Sequence, residues 1–455
     1  MTSAQVLTAS PESRGTMAAI KGPWKTVAGP GGTTVPFYVI RFDKRGVCTS
    51  PASLAHLVDA AADATDVFLF SHGWNNDWAA ATRRYDQFIT QFTRSHAAHW
   101  HPETRPFRPV LVGVHWPSTV LVMQDEQGPD IAAGTASDQD PEEAVPVDLL
   151  AEDLTPDQAA RLYELAEREE LRGQDALDFA ALLVPVLTGR DDETGTGEEV
   201  TPDAADLVAL WSTIPDGDTD PPPERGGFAP DASDDTTAGP QTAGWLDKLN
   251  PRNVIRSATV LLMKDRAGRV GAAGVRTMLH GILAASEESR VHLVGHSYGA
   301  KVVLSALAHG SAPSRQVESV LLLQPATSAK CFADASGGNR AGGYRPALER
   351  SKQPIMTTFS RHDAPLTKLF HFAARRASDK REAVIAGAPS EYAALGGFGP
   401  QDTSSVTVVD ARTAPHRYDL PTTEVLAIRA DDVISGHGDV QNAATAWALL
   451  CQVME

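Results

Sequence analysis

Gly295-His296-Ser297-Tyr298-Gly299 is a G-x-S-x-G pentapeptide, preceded by the apolar residues Val291, Leu293 and Val294 and followed by Ala300, Val302, Val303, Leu304 and Leu307 at helical spacing. That context predicts a strand, a tight turn and a helix, with Ser297 on the turn. Glycines two residues away on either side leave room where a Cβ would strike the neighbouring strand or helix, and the serine is pushed into a sparsely populated backbone conformation. Its hydroxyl then stands clear of the sheet, and the amide of Tyr298 points to where an oxyanion would form. The chemistry this favours is nucleophilic attack on an acyl carbonyl.

A serine hydroxyl is a poor nucleophile at neutral pH, so a base, an orienting carboxylate and a second oxyanion donor are required. Upstream, the apolar run Val67 to Phe70 predicts a buried strand ending in Ser71-His72-Gly73-Trp74-Asn75-Asn76-Asp77. The His-Gly step lets the chain turn sharply, which makes the amide of Trp74 the second donor and its indole a wall of the pocket. His72 and Asn75 join Trp74 as expected substrate contacts; His72 is also a rival base, in a turn whose usual duty is structural. Downstream, Pro354 to Ser360 predicts another core strand, with Asp363 beyond its carboxyl end, where the functional groups of a parallel sheet gather. An aspartate before Pro365 also suits a turn or a helix cap. His437, between Gly436 and Gly438 before a terminal helix over Val440 to Val453, is the expected base, ahead of His362 and His416. The order Ser, Asp, His is the one that goes with this turn.

Taken together, His72 to Asn76, Trp116-Pro117-Ser118 after the apolar run Val110 to Val114, the Gly295 to Gly299 turn, Asp363 and His437 resemble the alpha/beta-hydrolase superfamily. Within it the chain is similar to bacterial serine esterase- and lipase-like proteins with an HG-aromatic-N turn and a W-P-S step. The resemblance covers roughly residues 33–120 and 250–455, and implies a Ser-His-Asp hydrolase on a mostly parallel sheet flanked by helices. The chain departs from that pattern in a long insertion between Ser118 and about Trp245.

The elements that must position these residues follow the apolar spacing. Residues 1–32 read as an N-terminal extension, 33–120 as the first part of an α/β core, 121–245 as an acidic, partly disordered helical cap, and 246–455 as the second part of the core. Val35 to Phe42 is expected as a strand at the antiparallel edge, Ser53 to Ala62 and Trp78 to Trp100 as helices, and Val317 to Leu323 and Ser405 to Val409 as further strands, giving about six parallel strands. Val254 to Glu287 predicts one long or two broken helices, weakened by Gly268, Gly271 and Gly274. In the insertion, Thr155 and Pro156 form a helix start leading into residues 159–172. Asp175 to Leu187 and Pro202 to Trp211 predict further helices, and Gly189 to Glu199 and Asp216 to Ala243 predict flexible tethers. The glycine-rich Ser336 to Gly343 is a second candidate mobile lid.

The chain has 455 residues, 42% of them hydrophobic, enough for a large core. Its formal charge of -18 is uneven: residues 124–239 hold 31 Asp and Glu against five Arg and no Lys, leaving the rest at +8. The insertion is therefore expected either to fold over the mildly basic core and gate the site, or to keep a surface extension solvated, and it offers a surface for a regulatory protein partner. Met1 to Ile20 lacks the features of a secretory signal, and no apolar run reaches membrane-spanning length. Cys48, Cys331 and Cys451 are scattered without metal or redox spacing, which points to free thiols in the cytoplasm. No cofactor or metal is expected, and no basic, aromatic-interleaved patch suggests nucleic acid. The expected substrate is a small-molecule or lipid acyl ester. A thioesterase, amidase or peptidase would use the same triad, and a cap-regulated effector or a non-catalytic binding protein are the readings of a different class.

Overall fold

Continuous apolar strands and amphipathic helices assemble into three layers. The computed structural model describes residues 21–29, 33–74, 76, 78–100, 106–118, 144–187, 203–211, 249–335, 341–369 and 393–455. In chain order the elements are β1 (Lys25–Ala28), β2 (Thr34–Arg41), α1 (Pro51–Ala62), β3 (Asp66–Ser71), α2 (Trp78–His99), β4 (Pro109–His115), α3 (Ala144–Ala151), α4 (Pro156–Ala166), α5 (Gly173–Leu187), α6 (Ala204–Trp211), α7 (Pro251–Val270), α8 (Arg276–Ala285), β5 (Arg290–His296), α9 (Tyr298–Ala308), β6 (Ser319–Leu323), β7 (Ile355–Phe359), β8 (Val406–Asp410), β9 (Val425–Arg429) and α10 (Ala443–Val453). Among the described residues the strands form one nine-stranded sheet in the order β1-β2-β4-β3-β5-β6-β7-β9-β8. Only β1 runs antiparallel to its neighbour.

Alternate residues of the central strands serve opposite faces, as the pleat requires. Tyr38, Ile40, Val67, Leu69, Val291, Leu293, Val320 and Leu322 pack under α1, α7, α8 and α9. Phe37, Val39, Phe68, Phe70, Val294, Leu321 and Leu323 pack under α2 and α10. With both faces covered, β3 and β6 are buried along their whole length, which is why they read as unbroken apolar runs.

Several expectations change. The strand at Val35 to Phe42 lies inside the sheet as β2, and the antiparallel edge is β1, a short half-exposed KTVA within the segment read as an extension. The sheet gains β9, inserted between β7 and β8. Of the two alternatives for Val254 to Glu287, the continuous one holds: α7 runs through a π-helical turn, Gly271–Val275, at the glycines into α8. A Cβ on Gly271 would lie 2.3 Å from the Val302 carbonyl oxygen and one on Gly274 2.0 Å from that of Gly46, so these glycines let α9 and the β2 loop approach. The terminal helix starts later than expected, at Ala443, where the Asn442 side chain accepts from the amides of Ala444 and Thr445.

The insertion's helix start is as read: Thr155 and Gln158 form a reciprocal capping box at the head of α4. Its described helices join the core. Leu150, Leu162, Leu165, Phe179, Leu183 and Trp211 are buried in one cluster with α7 and the sheet face beneath it. A two-way backbone pair, Leu171 N–H to Leu249 O at 2.8 Å and Leu249 N–H to Leu171 O at 2.9 Å, closes the neck. Lys44 pairs with Glu152 and Asp153, and the buried Arg266 bridges Glu152 and the Pro117 carbonyl. The proposed tethers Gly189 to Glu199 and Asp216 to Ala243, and most of the Ser336 to Gly343 loop, lie outside the described residues.

At the amino ends of the strands is a fully buried polar cluster. His292 lies 3.2 Å from Asp66 Oδ1 through Nε2 and 2.8 Å from Ser319 Oγ through Nδ1, and it stacks on Phe68. Thr65 and Arg290 donate to the same aspartate. No described helix is long and apolar enough to cross a membrane, and among the described residues no group of three or more His, Cys, Asp or Glu could hold a metal ion.

Candidate active site

Ser297 is the single residue between β5 and α9, and it has φ 56° and ψ -126°. A side chain in that left-handed region is strained, so surrounding structure must hold it there. The Ser297 amide donates to the Leu323 carbonyl at 3.1 Å, and its own carbonyl accepts from Ala300 and Ala326. The flanking glycines are required by contact: a Cβ on Gly295 would lie 2.5 Å from Ala300 Cα, and one on Gly299 2.1 Å from the Ser71 carbonyl oxygen. A Cβ on Gly73 would reach within 2.6 Å of Ser297 Cβ, so the β3 turn and the serine touch.

Asp363 follows β7 in a turn and is fully buried. Its Oδ1 accepts from the Leu366 amide at 3.1 Å, and its Oδ2 accepts from Gln324 Nε2 at 2.9 Å and from His437 Nδ1 at 2.8 Å. On the far side of that ring, His437 Nε2 is 2.8 Å from Ser297 Oγ. With a carboxylate at Nδ1 the proton belongs on Nδ1, which leaves Nε2 as the acceptor for the serine hydroxyl. The His437 loop is fastened at both ends: Asp439 accepts from Ser435 N–H and Oγ, and His296 Nε2 donates to the His437 carbonyl at 2.9 Å. Burial, reinforced by nearby His437, holds His296 well below the usual imidazole range, so it stays neutral in that role. The rival histidines His362 and His416 are exposed, and it is His437 that meets Ser297.

The β3 turn brings Gly73 and Trp74 against the serine, with the Trp74 ring 6.4 Å from that of Tyr298. His72, expected among the substrate contacts, is instead part of the framework. It is 2% exposed, and both ring nitrogens are engaged: Nδ1 donates to the Gly73 carbonyl at 2.8 Å and Nε2 accepts from the Trp116 amide at 3.4 Å. Its amide donates to Tyr85 Oη, its carbonyl accepts from the Trp116 indole, and the two rings stack at 5.6 Å. Burial depresses its pKa to about 3. Asn75 lies outside the described residues. Its neighbour Asn76, buried, exchanges hydrogen bonds with Ser118 and donates to the Gly73 and Trp74 carbonyls. The W-P-S step thus serves as the brace of the H-G-W turn.

The geometry brings Ser297, His437, Asp363, Trp74 and Tyr298 together at the carboxyl edge of the central strands. It adds residues that sequence reasoning did not assign: Gln324 on Asp363, His296 on the His437 loop, Asn76 on the H-G-W turn. Gln324, a polar residue at the end of the apolar β6, carries a readable positional signal, since that edge gathers functional groups. No protein-family model, no curated protein and no solved structure matches this chain.

Proposed function

We propose that the chain is a serine hydrolase of the alpha/beta-hydrolase type that cleaves carboxylic esters through an acyl-enzyme. The observation that carries the proposal is the continuous relay of two 2.8 Å contacts from Ser297 Oγ through His437 to a buried Asp363. His437 Nε2 takes the hydroxyl proton as Ser297 Oγ bonds to the acyl carbon, and Asp363 holds the imidazolium that results. The carbonyl oxygen becomes an oxyanion facing the amides of Trp74 and Tyr298; each such donor is worth roughly 3 kcal/mol to the transition state. Collapse breaks the bond to the alkoxide, which leaves with the proton from His437. Water then repeats the cycle, giving up its proton to His437 while the acid departs and Ser297 regains its hydrogen. Esters are the proposed substrates because their leaving groups need the least protonation. Three free cysteines suit the cytoplasm, and the acidic insertion suits a regulatory protein partner.

The test is labelling with a fluorophosphonate probe, with mapping of the adduct, beside hydrolysis of p-nitrophenyl esters. Wild-type protein should be labelled at Ser297, and Ser297→Ala should lose both labelling and turnover while keeping its near-ultraviolet circular dichroism. Undiminished hydrolysis by Ser297→Ala would sink the proposal.

A further inference from the structure

Gln324 is the residue directly beyond β6, and three features of it have no structural economy of their own. It is a non-glycine residue at φ 43°, in the left-handed region. It is fully buried, yet its Oε1 has no hydrogen-bond partner among the described residues. Its Nε2 donates to Asp363 Oδ2 at 2.9 Å and to the Gly396 carbonyl at 3.0 Å, while its backbone N–H donates to Thr358 Oγ1 at 2.9 Å. Flipping the amide would set its oxygen against a carboxylate and a carbonyl, so the orientation is dictated by its neighbours. Strained backbone and an orphaned buried oxygen are costs that a site keeps when the group they aim is needed.

We infer that Gln324 is a positioning residue: its side-chain amide sets the orientation and the charge of the carboxylate oxygen that Asp363 presents to His437. This rests on the function proposed above. Asp363 Oδ2 takes two donors, one the base and the other Gln324, while Leu366 N–H fixes Oδ1. The Gln324 N–H draws charge from the oxygen that His437 bonds. Without it that oxygen is more negative, imidazolium is held more strongly, and a neutral, reactive His437 is reached only at higher pH. The charged and titratable groups around this contact are His296 on β5, Arg84 on α2 beside Gly438, and Arg361 and His362 on the acid's own turn. Asp431, past β9, accepts from the Arg361 amide, and Asp439 lies on the base loop. They are common to wild type and variants, so the difference between proteins isolates Gln324.

The experiment measures the rate constant for fluorophosphonate labelling of Ser297 against pH in the full-length protein, with wild type, Gln324→Met and Gln324→Glu. Loss of one hydrogen bond to a charged group should lower the plateau rate of Gln324→Met about tenfold and move its acid limb up by about one pH unit. Gln324→Glu, close in shape, puts a second carboxyl against the buried Asp363; the two share one proton, so its O–H donates to Asp363 as the amide does and the limb should return toward wild type. A Gln324→Met limb that coincides with wild type would overturn the inference, whatever happens to thermal stability, as would a Gln324→Glu limb displaced as far as that of Gln324→Met. Should Gln324→Met not fold, Gln324→Leu decides by the same limb. Wild type that is not labelled at Ser297 would defeat the proposed function itself and take this inference with it, an outcome distinct from labelling that is indifferent to residue 324.

Discussion

Two of the histidines near the serine turn have opposite duties, set by their surroundings. His437 offers Nε2 to the serine, whereas His72 has both ring nitrogens satisfied by backbone and a tryptophan stacked on its face. A pKa of about 3 for His72, with that of His296 also well below the usual value of 6.5, means that the unfolded chain binds these protons and the folded one does not. Their contribution to stability is fully present above about pH 6.5 and is lost as pH falls toward 3. Unfolding free energies from urea titrations should therefore be nearly level above about pH 6.5 and drop below it, approaching a slope of about 1.4 kcal/mol per pH unit for each histidine. A His72→Asn variant should show the shallower slope; an identical slope would mean that His72 is charged in the native state. At this scale the sequence named Ser297, His437 and Asp363 from type, order and flanking glycines. It did not settle His72, because the residue that buries it, Trp116, lies just beyond β4, 44 positions on. Gln324 was missed for a related cause: its work lies in a backbone angle and in a contact 39 residues away.

Among the elements, the join of β5 to α9 is tightly constrained. Ser71 and His72 carbonyl oxygens lie 2.1 and 2.5 Å from where a Gly299 Cβ would stand, and neither belongs to a side chain that could turn aside. Gly299→Ala should therefore push α9 away from the β3 turn and cost about 1–3 kcal/mol of stability. Because the same turn carries Trp74, ester turnover should fall by more than the loss of folded protein explains. Equal losses in the two, by activity and by circular dichroism, would argue against a shared turn. Strands buried on both faces were legible as apolar runs, and the capping box of α4 was legible as Thr155-Pro156 with Gln158. The edge strand β1 was not, since four half-exposed residues carry almost no pattern. Gly271 and Gly274 left one long helix and two broken ones both open: propensity marks them as weak points, while the crowding of Val302 and Gly46 makes them the condition for a continuous helix.

At the scale of the whole molecule, two Ser-His-Asp arrays among the described residues lie at opposite ends of the sheet and share β5. His292 and Ser297 are five residues apart, about 16 Å along an extended strand. The array of Asp66, His292 and Ser319 is sealed from solvent, and its ring is reversed, with Nδ1 toward the serine and Nε2 toward the acid. Having no access for a substrate, it ties β3, β5 and β6 together. His292→Leu should accordingly lower stability by about 1–3 kcal/mol through unsatisfied Ser319 and Asp66, while Ser297 labelling of the folded fraction stays at the wild-type rate. Slowed labelling would show that the two ends of the strands communicate. The acidic insertion was located by its charge, but its seat against α7 was not, because charge patterning says where a segment is solvated and nothing about which apolar face it shares. Its neck carries a consequence for how such a chain can vary over descent. Leu171 and Leu249 are hydrogen-bonded to each other in both directions, so everything between them enters and leaves at one point. Each doubling of a loop closed in this way costs only about 0.6 kcal/mol. The chain between Leu171 and Leu249 can thus change in length from lineage to lineage while the sheet and the serine turn keep a fixed frame, provided that Phe179, Leu183 and Trp211 keep their seats in the core cluster, which makes this neck the place where new recognition can be acquired without re-evolving the fold.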